Sequence, residues 1–252
     1  DFLVTRFKEY GLDDVRLHRY DVLLPWPREV KVSLLGPTPY EATLREDAYP
    51  QDPHTAKDAG ITYLGMSGSG DVTGELVYAS SGNPADYDFL ESQGIDLKGK
   101  IALARCSVPH SYRAYTALVA EQRSLSAMLV YSDPAQDGWV KGDTFPIGPW
   151  GPAGHIQRGA ITYDFMIAGD PLTPGYASLP GAPRIKESDS PAVPKIIAVP
   201  LSYRDAEPLL RALGGPDAPE SWQGALPFRY RVGAGPATVR VKVDMDGATR
   251  PI

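Results

Sequence analysis

The chain contains one cysteine, Cys106, among 252 residues. That excludes an internal disulfide and a zinc site built on cysteine thiolates. Asn83 is the sole asparagine and Pro84 follows it, so no N-glycosylation sequon is present. Histidine is scarce: His18, His54, His110 and His155. None stands at ligand spacing from another histidine or an acid on a helix, and the HExxH pattern is missing. No run reaches the ~20 apolar residues a membrane helix needs. Basic runs with interleaved aromatics are also missing. With a net charge of −6, nucleic acid is not an expected partner. The opening residues Asp1 to Arg6 do not read as a signal peptide.

What is abundant is backbone punctuation, with 25 prolines and 25 glycines. The length suits one large domain, or one domain with a flanking segment, and the punctuation suits a β-rich α/β fold. Phe2, Leu3, Phe7 and Tyr10 recur at helical spacing, with Gly11 as the stop. Val15, Leu17 and Tyr20–Leu24 read as a strand closed by Pro25-Trp26-Pro27. Val30, Val32 and Leu34 alternate with polar residues as a half-buried strand, and Ala42 and Leu44 suggest its return. Glu46 to Gly60 reads as loop. A strand at Glu75–Ala79 precedes a helix from Pro84 to Gln93, which Asn83 can cap. Ile101–Ala104, a helix over about Arg113–Leu125, and Met128–Tyr131 form a strand-helix-strand unit, which predicts parallel pairing. Lys195–Val199 reads as a strand. Asp205 is expected to cap a helix that turns Leu209, Leu210 and Leu213 inward. Val239, Val241 and Val243 mark the last strand.

The densest backbone constraint lies in Gln157–Tyr176, ending Ala168-Gly169-Asp170-Pro171-Leu172-Thr173-Pro174-Gly175-Tyr176. Proline fixes φ, and Asp170 and Thr173 can close local hydrogen bonds. This predicts a stiff loop, as a connector or as a surface that keeps one shape for a partner, ligand or ion.

Motifs for chemistry fail on inspection. Gly68, Gly70 and Gly74 have the wrong spacing for a dinucleotide fingerprint, and a strand follows. Gly65-Met66-Ser67-Gly68-Ser69 lacks the closing glycine of a nucleophile elbow. Asp244-Met245-Asp246-Gly247 lacks the third acid and late glutamate of a calcium loop. Ser107, His110 and Ser111 have no acid placed to orient the imidazole. From the residues alone the chain is a β-rich α/β domain with no catalytic constellation.

A resemblance takes the reading further. Gly99-Lys100-Ile101-Ala102-Leu103-Ala104-Arg105, the following helix, and Met128-Leu129-Val130-Tyr131-Ser132-Asp133-Pro134 resemble a protease-associated (PA) domain. Gln157-Arg158-Gly159, the Ala168–Tyr176 string, Tyr203 with Asp205-Ala206, and Ser221-Trp222-Gln223-Gly224 extend the match. So do Lys8–Asp13 and Tyr20–Leu24. The combination is similar to the PA domain of the glutamate carboxypeptidase II and transferrin receptor family of zinc peptidases.

The resemblance implies a β-rich PA fold, a mixed sheet or barrel-like core with flanking helices. It implies that residues 1–30 pack with a peptidase domain, that 31–248 are the PA domain, and that 249–252 lead back toward the peptidase domain. The chain is then expected to be part of a longer protein whose two zinc ions are held beyond Ile252. The chain itself is expected to be inactive and to cover the catalytic cleft. Arg113 falls where the family's arginine contacts the terminal carboxylate of a peptide ending in an acidic residue. Ala160 stands where the family has a second donor, an asparagine. Thr173 and Tyr176 match partial ligands of a calcium site shared with the peptidase domain. The parent is expected to be a homodimer in the secretory pathway, a vacuole or an extracytoplasmic membrane-anchored setting, with this segment soluble. The alternative is a binding module of an inactive transferrin-receptor-like protein or a peptide-sorting PA domain.

Overall fold

A computed structural model describes residues 2–57, 60–106 and 112–252. Eleven strands and five α-helices are found among these residues. The strands are β1 (Asp21–Leu23), β2 (Pro27–Gly36), β3 (Tyr40–Glu41), β4 (Leu64–Gly65), β5 (Gly70–Tyr78), β6 (Ile101–Arg105), β7 (Ala127–Tyr131), β8 (Gly159–Ala160), β9 (Ile197–Leu201), β10 (Gly233–Met245) and β11 (Thr249–Pro251). The helices are α1 (Phe2–Glu9), α2 (His54–Lys57), α3 (Pro84–Ser92), α4 (Arg113–Gln122) and α5 (Tyr203–Ala212).

Seven strands make one mixed sheet in the order β3-β2-β10-β5-β6-β7-β9. Its first part is antiparallel, from β3 through β2 and β10 to β5. The rest is parallel, as the strand-helix-strand pattern predicts, with Ile101 opposite Ala127 and Ala127 opposite Ile197. Every residue of β6, β7 and β9 is buried. Such continuous apolar strands are what a parallel sheet covered on both faces requires. In the antiparallel part the alternation holds: Val239, Val241 and Val243 are buried and Arg240 and Lys242 face out to Asp71 and Glu29. Each fully buried Val or Leu contributes roughly 1.5–3 kcal/mol.

Helices α4 and α5 supply the cover. Ala114, Ala117 and Ala120 let α4 lie close, while α5 turns Ala206, Leu209 and Leu210 inward. The two remaining sheets are pairs, β1 with β11 and β4 with β8. Helix α1 buries none of its residues.

Four local expectations are corrected. Val15 and Leu17 are not in a strand, and only Asp21–Leu23 is extended and paired. The return strand is Tyr40–Glu41, because Leu44 takes a positive φ of 49° and leaves the ladder. The polar stretch after Glu46 contains the one-turn helix α2. The cap of α5 is Ser202, whose Oγ accepts from the Asp205 N–H at 3.1 Å. Asp205 is fully buried instead, accepting from the Tyr40 hydroxyl at 2.7 Å, Thr43 N–H at 2.8 Å and Leu44 N–H at 3.1 Å. A hydroxyl caps as well as a carboxylate, which frees the acid for four long-range donors, the Thr43 hydroxyl at 3.0 Å among them. Burial, followed by the hydrogen bond to Asp205, pushes the Tyr40 phenol up to about 12.

Candidate functional site

Strand β6 ends on Arg105, which is buried and donates to the Ser221 and Gln223 carbonyls at 2.8 and 3.0 Å. Cys106 follows. Ser107, His110 and Ser111 lie outside the described residues. The chain re-enters at Tyr112, and Arg113 opens α4 half-buried.

Arg113 faces the Gln157–Ala160 turn. Its Nη2 donates to Gln157 Oε1 at 2.8 Å, and its buried Nε has no hydrogen-bond partner among the described residues. A Cβ on Gly159 would stand 2.8 Å from Nη1. Only glycine leaves room for the guanidinium there. Ala160, next along, is exposed and brings a methyl group and no donor. Burial pushes the Cys106 thiol up, and the nearby Arg113 charge acts against that.

The turn is clasped from outside by Glu46. Its Oε1 lies 3.2 Å from His155 Nδ1 and accepts from the Ile156 N–H at 3.1 Å, while Oε2 pairs with Arg158 Nη1 at 2.7 Å. Asp137 takes the other side of the imidazole, 3.5 Å from Nε2, and accepts from the Gly151 N–H at 2.8 Å. On its far side the turn becomes β8, which pairs in parallel with β4. Beside Arg113 lies an exposed aromatic group: Phe165 packs edge-on to Tyr112 and Tyr115, and the Tyr112 hydroxyl donates to Asp164.

The second predicted site, Thr173 and Tyr176, lies in a loop organised by Asp170. Asp170 Oδ1 accepts from the Leu23 N–H at 2.7 Å, and Oδ2 from Leu172 N–H and Ser178 Oγ, both at 3.2 Å. Thr173 is 1% exposed, and its hydroxyl reaches Asp170 Oδ2 at 3.4 Å. Tyr176 N–H donates to the Thr173 carbonyl at 3.2 Å, but its phenol turns away to the Pro183 carbonyl at 2.6 Å. The turn thus brings the two backbones together and sends the side-chain oxygens apart. Thr173 and Tyr176 do not meet Arg113 in any hydrogen bond. Among the described residues no group of three or more His, Cys, Asp or Glu could hold a metal ion.

Sequence reasoning found the local bonds of Asp170 and missed its reach to Leu23. It missed Glu46 altogether, because nothing in a polar loop signals a partner 109 residues away.

The PA domain family profile matches residues 72–163. Aminopeptidase NAALADL1 of Rattus norvegicus is 34% identical over 267 residues, covering 96% of this chain and 34% of the relative. A probable glutamate carboxypeptidase of Arthroderma benhamiae is 37% identical over 258 residues, covering 97% and 34%. Transferrin receptor protein 2 of Mus musculus is 28% identical over 251 residues, covering 99% and 29%. Among solved structures, an aminopeptidase from Aneurinibacillus sp. strain AM-1 overlaps 100% of this chain and 39% of its own, at 19% identity and a TM-score of 0.48. The chain spans about a third of the length of these curated relatives. It carries a PA domain, and its relatives are glutamate carboxypeptidase-like and transferrin receptor proteins.

Proposed function

We propose that this chain is the non-catalytic PA region of a glutamate carboxypeptidase-like zinc peptidase, where it covers the active-site cleft and helps recognise the substrate. The observation that carries the reading is Arg113, seated over Gly159 with Nη2 fixed by Gln157. A guanidinium held in one plane suits a carboxylate, and the terminal carboxylate of a peptide with an acidic last residue is the proposed ligand. Zinc would belong to the peptidase domain of the longer protein. The described residues offer no ligand cluster for it, so no chemical step is assigned to them.

The proposed division of the chain has support in the small β1–β11 sheet, which joins residues near both ends apart from the main sheet. Helix α1 adds to it by exposing Phe2, Leu3 and Phe7, with Tyr10 just after it exposed as well. Thr173 and Tyr176 are proposed as the PA half of a calcium site that acidic groups of the peptidase domain complete. Calcium needs six to eight oxygens, and neither residue brings formal charge. A homodimeric parent in the secretory pathway is part of the same proposal. No helix of the described residues is long and apolar enough to cross a membrane.

A second reading, a binding module of an inactive receptor, is favoured by Ala160, which leaves Arg113 without a second donor. Kinetics of the longer protein test the first reading. Arg113→Ala should raise KM for peptides ending in glutamate; an unchanged KM would overturn the role of Arg113.

A further inference from the structure

Arg113 depends on where Gln157 stands, and Gln157 depends on its neighbours. The residue before it is tied by its backbone N–H, and the residues at 155 and 158 by their side chains. All three ties end on one carboxylate, that of Glu46. The distribution is specific: Oε1 serves His155 and Ile156, and Oε2 serves Arg158. Glu46 is itself held in place. Arg204 donates to the Arg45 carbonyl at 3.0 Å and to Asp47 at 2.8 Å, and its backbone N–H donates to the Ala153 carbonyl at 3.1 Å, so α5 ties both segments.

We infer that Glu46 is a positioning residue for the carboxylate-binding arginine: it sets the 155–158 turn so that Gln157 Oε1 meets Arg113. The inference rests on the proposed role of Arg113 and deepens it. The acid is required by the count of donors. Ile156 N–H and Arg158 Nη1 donate to opposite oxygens, and a glutamine offers one acceptor oxygen, so it can keep Ile156 or Arg158 but not both. An aspartate is one methylene too short to span both sides. The aromatic and acidic cleft beside this clasp, about 640 Å³ and lined by Tyr49, Asp137, Phe145, Trp150 and His155, is the space into which a released turn would relax.

The test uses the whole chain labelled with ¹⁵N-arginine, so that the Nε–Hε signal of Arg113 reports its setting. N-acetylglutamate is the probe ligand, titrated by NMR. Glu46→Ala should shift the Arg113 signal and weaken N-acetylglutamate roughly tenfold or more, since small misplacements of a binding group carry large penalties. Glu46→Gln, nearly isosteric, should fall between wild type and Glu46→Ala, and it keeps the test open if the alanine variant does not fold. Val241→Ala, a core change elsewhere, should lower Tm while leaving both readouts unmoved. An Arg113 signal and affinity unchanged in both Glu46 variants would overturn the inference. So would equal weakening in Val241→Ala. If Arg113→Ala binds N-acetylglutamate as wild type does, the proposed function fails instead. The Arg113 signal in the Glu46 variants still decides the positioning role.

Discussion

Two loops in this molecule are each fixed by one carboxylate, one from outside the loop and one from within it. At Gln157–Ala160, Glu46 takes up the Ile156 amide and the neighbouring side chains, and the Arg113 guanidinium lies against Gly159. In the Asp170–Ser178 loop, the carboxylate takes up the Leu23 and Leu172 amides and the loop's own hydroxyls. Arg184 closes that loop further, donating to the Asp21 carbonyl at 2.7 Å and to Ser178 Oγ at 3.1 Å. Rigidity is common to both. What separates them is the direction of the tie: Glu46 holds from outside a segment that Arg113 lies against, whereas Asp170 spends its oxygens on its own loop and on β1.

The comparison is most directly broken at Asp170. Asp170→Ala leaves the Leu23 and Leu172 amides and the Thr173 hydroxyl without their acceptor, which should cost about 2–4 kcal/mol, near the upper range for a charged hydrogen-bonding group. A thermal melt should show a fall of several degrees; an unchanged Tm would mean the loop is held by its prolines alone. The effect at Arg113 should be smaller and of another kind. Arg113→Ala should lose about 1.5–3 kcal/mol of carboxylate binding with little change in Tm, read by N-acetylglutamate titration and melting of the same variant. A large fall in Tm would make Arg113 structural and erase the contrast.

Calcium sharpens the comparison from the other side. With Thr173 Oγ1 turned to Asp170 and the Tyr176 phenol turned away, the chain should bind calcium no tighter than about millimolar by calorimetry. Micromolar binding would show that the loop keeps open oxygens after all. The smallest expected effect concerns pH. Asp246 sits at the corner that carries β11; its hydrogen bond to Arg250, with backbone donors from Trp26 and Ala248, holds its carboxyl below the ordinary 3.8. A depressed acid contributes stability that is present above its unfolded value and lost as pH falls through the folded one. Amide protection at Trp26 and Ala248, taken relative to the intrinsic exchange rate at each pH, should therefore fall on acidification below about 3.8, and Asp246→Asn should flatten that dependence.

Much of the fold was legible because its signals are local. Helix α3 carries its cap and proline at the expected places, and β6, α4 and β7 follow apolar runs of the right length. The errors arose where a residue had two uses. Asp205 looks like a cap, yet Tyr40 and Thr43, more than 160 positions away, claim its carboxylate. Leu44 fits an alternating strand, yet its amide is drawn to the same acid. Of the proposed site, Arg113 is suggested by resemblance alone, since an arginine opening a helix carries no signal of its own. Glu46 could not be found, because its ties to positions 155, 156 and 158 exist only after the sheet has formed.

That sheet has an order of assembly written into it. Strand β10 is the last of its seven in the chain, yet it lies between β2 and β5. Until Gly233–Met245 arrives, the β2–β3 hairpin and the parallel layers share no ladder, and the two halves of the sheet wait on either side of an open slot. Closure is therefore a single late event spanning most of the chain, of the long-range kind that slows folding. Whatever faces that slot on the way, a chaperone or another chain, meets two unpaired strand edges until β10 fills it.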